Sequence, residues 1–214
     1  RSTRSGKPGR AAPFYLRFSM CMPHGPTNPR PGVRIFLLLF VFSCQAIAAD
    51  RKEWTTLTDC RYVAHKNNDG DSFHVRCGAD EFVLRLYFVD SPETYLTYGE
   101  RTREQAAHFG ATLDETLKAG ARARVLVRDT LNKPFTVLTR KAYAQGAAKD
   151  PRYYGMVQVA GKGLDEILVL AGLARVKGVA VNIPGGEKAR AHAQRLLLLE
   201  EHAKQKRRGL WART

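Results

Sequence analysis

The sequence predicts an α+β fold, a small closed sheet with helices packed on it. Strand-like runs come first, a helical stretch interrupts them, and two more helical stretches follow near the end. The 214 residues are 44% hydrophobic and 26% charged, too apolar for a disordered chain and suited to one medium domain with extensions. Thirty-five Lys and Arg against 20 Asp and Glu leave a charge of +15, which favours a polyanionic partner such as nucleic acid.

The first 48 residues stand apart. They carry seven Lys/Arg and no acid, and the apolar run Ile35 to Phe42 leads to Ala46 and Ala48. A basic start, a short apolar stretch and a small-residue exit are the parts of a secretory signal peptide. This run is the one stretch that approaches membrane-span hydrophobicity, so a polytopic membrane protein is excluded, and it is shorter than the ~20 residues a membrane-spanning helix needs. Met20 and Met22 are the first methionines, and residues 1–19 read as upstream sequence in frame. The expected division is an extension and signal peptide over 1–48, a lead-in over 49–58 and the domain over 59–214. Seven of the fifteen surplus charges then belong to targeting, and the domain is expected in the periplasm or outside the cell.

Within the domain, residues 60–66 and 71–77 read as strands joined by Asn67, Asn68, Asp69 and Gly70. A hairpin folded between Asn68 and Asp69 sets Cys60 opposite Cys77, where an oxidising compartment allows a disulfide; two free buried thiols are the alternative. A third strand covers 82–89, with Val83, Arg85, Tyr87 and Val89 on one face, and Pro92 ends it. Ala106, Phe109, Leu113 and Leu117 have helical spacing, which predicts a helix from Glu100 to Lys118 stopped by Gly120. Alternation predicts strands over 121–127 and 135–139. Residues 140–151 read as a mobile loop, and 153–159 as another strand. A short helix from Leu164 to Ala171 is capped by Gly172, residues 173–176 are extended, and a last helix runs to about Arg208.

The residues that can carry chemistry lie at the ends of these strands. Asp69 and Asp71 flank the hairpin glycine, and Asp90, Ser91 and Glu93 follow the third strand. Asp-Gly is a common turn pair, so Asp69 reads as structural. Two carboxylates with a backbone carbonyl suit a hard cation such as Ca²⁺, and a carboxylate beside them can orient or deprotonate water. Arg85, on the same strand, has the donors to hold a phosphate.

At these residues the sequence resembles the staphylococcal nuclease (thermonuclease-like) family. The likeness runs from Asp69 to Ser72, through Leu84 to Thr94, over Tyr98 to Glu100, and on through Tyr154, Gly155 and Leu164 to Val176, ending at Leu210 and Trp211. It implies a five-stranded OB-type β-barrel with about three helices that cleaves DNA and RNA with Ca²⁺. Carried over by motif, Asp71, Asp90 and the Ser91 carbonyl are the metal ligands. Glu93 handles the attacking water, and Arg85 is one of two phosphate-clamping arginines.

The sequence departs from that pattern twice. Met156 stands where the family has its second catalytic arginine; Arg140 and Arg152 are the substitutes available, and Arg152 is preferred because it adjoins Tyr153 and Tyr154. After Val176 the family's base-packing aromatics give way to Gly178 and Ala180, leaving Tyr154 as the stacking candidate. The basic face of the last helix reads mainly as a solvated surface. The expected function is a Ca²⁺-dependent endonuclease on DNA and/or RNA without strong sequence preference, acting as a monomer. The alternative is a noncatalytic OB-fold module that binds nucleic acid, and less favoured is a protein-interaction domain.

Overall fold

The computed structural model describes residues 53–144 and 152–212. The extension and signal peptide expected over 1–48 lie outside the described residues. The architecture is mixed α+β. Strands β1 (Thr55–Val63), β2 (Ser72–Cys77) and β3 (Asp80–Leu86) are followed by a two-residue strand β4 (Val89–Asp90). Helices α1 (Gly99–Phe109) and α2 (Leu113–Thr130) precede β5 (Phe135–Ala144), β6 (Arg152–Val159) and β7 (Lys162–Gly163). Helix α3 (Leu164–Leu170), strand β8 (Arg175–Val176) and helix α4 (Ala189–Gln205) complete the order.

The large sheet runs β3-β2-β1-β5-β6-β7, and β3 also pairs in parallel with β6, which joins the two ends of the five-strand run. Phe73, Val75, Leu84, Leu86, Val137 and Val157 point inward from these strands and are buried. Alternation of apolar residues made these strands legible, because one face of each meets the core. Cys60 and Cys77 form a disulfide. The neighbouring register, Arg61 opposite Arg76, is the one a hairpin centred on Asn68 and Asp69 requires.

The region after Glu93 differs from the sequence reading. The described residues hold four α-helices rather than about three, because the expected helix over 100–118 is two helices. Gly110 takes a left-handed conformation (φ 61°) and ends α1. Thr112 and Glu115 then form a reciprocal capping box that starts α2. Gly120 does not stop a helix; it lies inside α2. A Cβ there would come within 2.6 Å of the Pro92 carbonyl oxygen, and closer still to that of Glu93. Glycine at this position admits the backbone of the segment that carries Glu93.

Residues 121–127 are helical, not a strand. Their every-other-residue pattern coincides with a four-residue stripe, Ala119, Ala123 and Val127, all fully buried. Within the stretch expected as a loop from residue 140, β5 continues to Ala144 with Tyr143 opposite Tyr153. The rest of that stretch, 145–151, lies outside the described residues.

Candidate active site

The sheet sets out the site in rows. Across β2, β3 and β6, Ser72 sits beside Arg85 and Arg85 beside Tyr154, while His74 sits beside Val83 and Val83 beside Arg152. These two rows are separated by the Phe73–Leu84–Tyr153 row, and alternate rows share a face, so Arg85 and Arg152 emerge on the same side of the sheet.

Two turns bring the carboxylates to that face. Asp69 accepts the backbone N–H of Asp71 (3.0 Å) and of Ser72 (2.6 Å), which fixes the β1–β2 turn; its role is structural, as the sequence suggested. A Cβ on Gly70 would lie 2.6 Å from Ser91 Oγ, so glycine lets this turn pack against the second one. At the second turn Phe88 takes a left-handed conformation (φ 66°), unusual for a bulky side chain. The chain thereby leaves the large sheet, and Asp90 pairs with Arg175 of β8.

Between the turns lies a dense network. Arg85 binds Asp71 through one terminal nitrogen and Asp90 through the other, the latter at 3.2 Å. The Ser91 N–H donates to Asp71 Oδ2 at 2.7 Å. Arg101 from α1 reaches both Asp90 and Glu93, the Glu93 contact at 3.1 Å. The Gln105 amide donates to Asp90 Oδ2 (3.1 Å) and to the Ser91 carbonyl (2.9 Å), while its own oxygen accepts the Glu93 N–H at 3.0 Å. Arg175, buried, donates to Asp90 Oδ2 at 2.8 Å.

Burial and charge act against each other here. Burial pushes the Asp71 carboxyl up to about 8 despite Arg85 beside it. Burial also raises Asp90, but Arg101, the Gln105 hydrogen bond, Arg85 and Arg175 outweigh it and bring that carboxyl down to about 2. Burial raises Glu93 above the usual carboxylate range against the pull of Arg101.

Asp71, Asp90, Ser91, Glu93 and Arg85, expected from the sequence to act together, are therefore in one place. Arg152 is not in the carboxylate network; it lines a groove that Glu93 also lines. Arg140 lines a separate hollow with Glu53, Trp54 and Asn182. Met156 is 9% exposed and belongs to the core cluster. Tyr154 stacks on Tyr87, with centroids 4.9 Å apart and planes at 21°, which covers one of its faces.

Sequence reasoning missed Arg101, Gln105 and Arg175. Arg101 and Gln105 are four residues apart beside the Ala106 and Phe109 stripe, so helical spacing alone places them on one polar face. Arg175 is the charged residue in an otherwise apolar run, 173–176.

Among the described residues no group of three or more His, Cys, Asp or Glu is arranged to hold a metal ion. The donor set nevertheless fits a hard cation: Asp71, Asp90 and the Ser91 carbonyl offer oxygen only. Asp71 is buried, and burial is the main cause of its raised carboxyl.

With this geometry in place, the model for staphylococcal nuclease homologues matches residues 83–213, and the chain belongs to that family. Membership suggests nuclease activity and implies a nucleic-acid substrate. Arg85, Asp90, Glu93 and Arg101 fall inside the matched stretch, and Asp71 precedes it. No curated protein matches the chain. Among the described residues no helix is long and apolar enough to cross a membrane.

Proposed function

We propose that this protein is a Ca²⁺-dependent endonuclease that hydrolyses phosphodiester bonds of DNA and/or RNA without strong sequence preference. The observation that carries the reading is Arg85 held between Asp71 and Asp90, with Glu93 tied to the same cluster through Arg101. Asp71, Asp90 and the Ser91 carbonyl would hold the cation, which when bound supplies Lewis-acid polarisation of the phosphate. Glu93 orients water and takes its proton as the water oxygen bonds to phosphorus and one ester P–O bond breaks, the electron pair leaving with the sugar oxygen, which takes up a proton from solvent. Its raised carboxyl makes it a better base than an exposed glutamate. Arg85 donates to the phosphate oxygens as charge develops on them. Arg152, in the same groove as Glu93, is the second guanidinium, and Tyr154 supplies a stacking face.

We read the ring β3-β2-β1-β5-β6 as the five-stranded OB-type barrel of this family, acting as a monomer. The Cys60–Cys77 disulfide supports export to an oxidising compartment, the periplasm or the medium. A noncatalytic nucleic-acid-binding module is the second reading, favoured by Met156 in the core where the family places an arginine. Degradation of denatured DNA in Ca²⁺ and then in chelator separates them. Cleavage in Ca²⁺ alone supports the nuclease, whereas binding without cleavage in both conditions supports the module.

A further inference from the structure

Directly after Glu93 the chain presents a cluster of large side chains that folding does not use. Tyr95, Leu96 and Tyr98 are 61%, 55% and 49% exposed, and the 3₁₀ turn Leu96–Tyr98 buries none of its residues. These residues contribute little to the core, yet they fall within one stretch of four residues, which marks a contact surface. Tyr95 and Tyr98 line a groove of about 450 Å³ together with Glu93, Lys66, His74 and Arg152. The groove therefore joins aromatic faces, an exposed ammonium on Lys66 and the carboxylate assigned to the attacking water. Other stacking surfaces near the site are restricted. Tyr154 has one face covered by Tyr87. Gly178 has a φ of 147° and packs where even a Cβ would lie 3.3 Å from the Val89 backbone.

We infer that Tyr95 and Tyr98 form a base-stacking subsite that holds an unpaired stretch of nucleic acid beside the scissile phosphate, with Lys66 contacting the backbone across the groove. This rests on the nuclease reading and extends it. Stacking on a tyrosine needs an exposed base face, which a paired duplex does not offer, so the subsite acts on single strands and not on duplex. Tyrosine suits the role because its ring is rigid and loses little conformational freedom on contact.

The test uses the full-length chain carrying Glu93→Gln, so that binding is measured without cleavage. A fluorescein-labelled oligothymidylate and a labelled hairpin duplex are titrated in Ca²⁺ by anisotropy, with Tyr95→Ala, Tyr98→Ala and the matching Phe variants added in turn. Each Ala change should weaken single-strand binding about tenfold, Phe should restore it, and duplex binding should not move. In the Glu93-intact protein the Ala variants should lower kcat/KM on single strands more than on duplex. Ala variants that bind oligothymidylate like the parent, or lose single-strand and duplex binding equally, overturn the subsite alone if the Glu93-intact protein still cleaves. An intact protein that neither binds nor cleaves either substrate overturns the nuclease reading as well.

Discussion

Gly120→Ala perturbs the contact between helix α2 and the segment that carries Glu93. The new methyl group would sit 2.6 Å from the Pro92 carbonyl oxygen and nearer to that of Glu93, where ordinary contact begins at 3.4 Å. Relief therefore requires a displacement of about 1 Å, and both obstacles are backbone, so no side-chain rotation provides it. If α2 withdraws, the fully buried Ala119, Ala123 and Val127 lose their packing. If the Pro92–Glu93 segment withdraws, the Glu93 N–H bond to Gln105 and the Arg101 contact are disturbed. Overpacking of this kind costs about 1–3 kcal/mol, and replacing an interior helical glycine by alanine returns about 1 kcal/mol. The expected net loss is then about 1 kcal/mol. Activity should suffer more, by about 100-fold, because a displacement of ~1 Å at a water-positioning group is costly. Urea unfolding and kcat/KM on denatured DNA measure the two effects. A Gly120→Ala protein with parental kcat/KM would refute the claim that this packing positions Glu93.

Further outcomes follow from the same network. Reducing the Cys60–Cys77 disulfide, or replacing both residues by Ser, opens a loop with a sequence separation of 17 and should cost about 3 kcal/mol in urea unfolding. Arg175→Met removes a buried partner of Asp90 and should destabilise by about 3 kcal/mol, read as a lowered unfolding midpoint. In chelator, Asp90, held at about 2 against an ordinary 3.8, contributes stability that is present above about pH 4 and lost as pH falls through about 2. Asp90→Asn should flatten that acid limb in pH-dependent unfolding. Asp71, pushed up from 3.8 to about 8, acts in the opposite sense, since its retained proton favours the folded state and stability falls as pH rises between those values. Asp71→Asn should remove that decline.

Much of the site was legible because its carboxylates and Arg85 sit close in sequence at the ends of strands whose alternation is plain. Asp71, Asp90 and Glu93 converge for a local reason, two turns packed against each other at Gly70. Arg101, Gln105 and Arg175 were not legible because their roles depend on how distant elements dock. The apolar stripe of α1 sets which way Arg101 and Gln105 point, and the β4–β8 pairing brings Arg175 opposite Asp90. The misread region has one cause. Gly120 and the Ala-Arg alternation after it are ambiguous until the close approach of residues 92–93 is known, whereas Gly110, Thr112 and Glu115 held the true helix boundary in local capping chemistry.

The central claim, that Glu93 handles water at a cation-dependent phosphodiesterase site, is tested most directly by Glu93→Gln on denatured DNA in Ca²⁺ and in chelator, with urea unfolding run alongside. The account predicts that the parent cleaves only in Ca²⁺, and that Glu93→Gln loses about 10²–10⁴-fold in kcat while unfolding near the parental midpoint. A Glu93→Gln protein that digests DNA at the parental rate, or a parent indifferent to chelator, would contradict it.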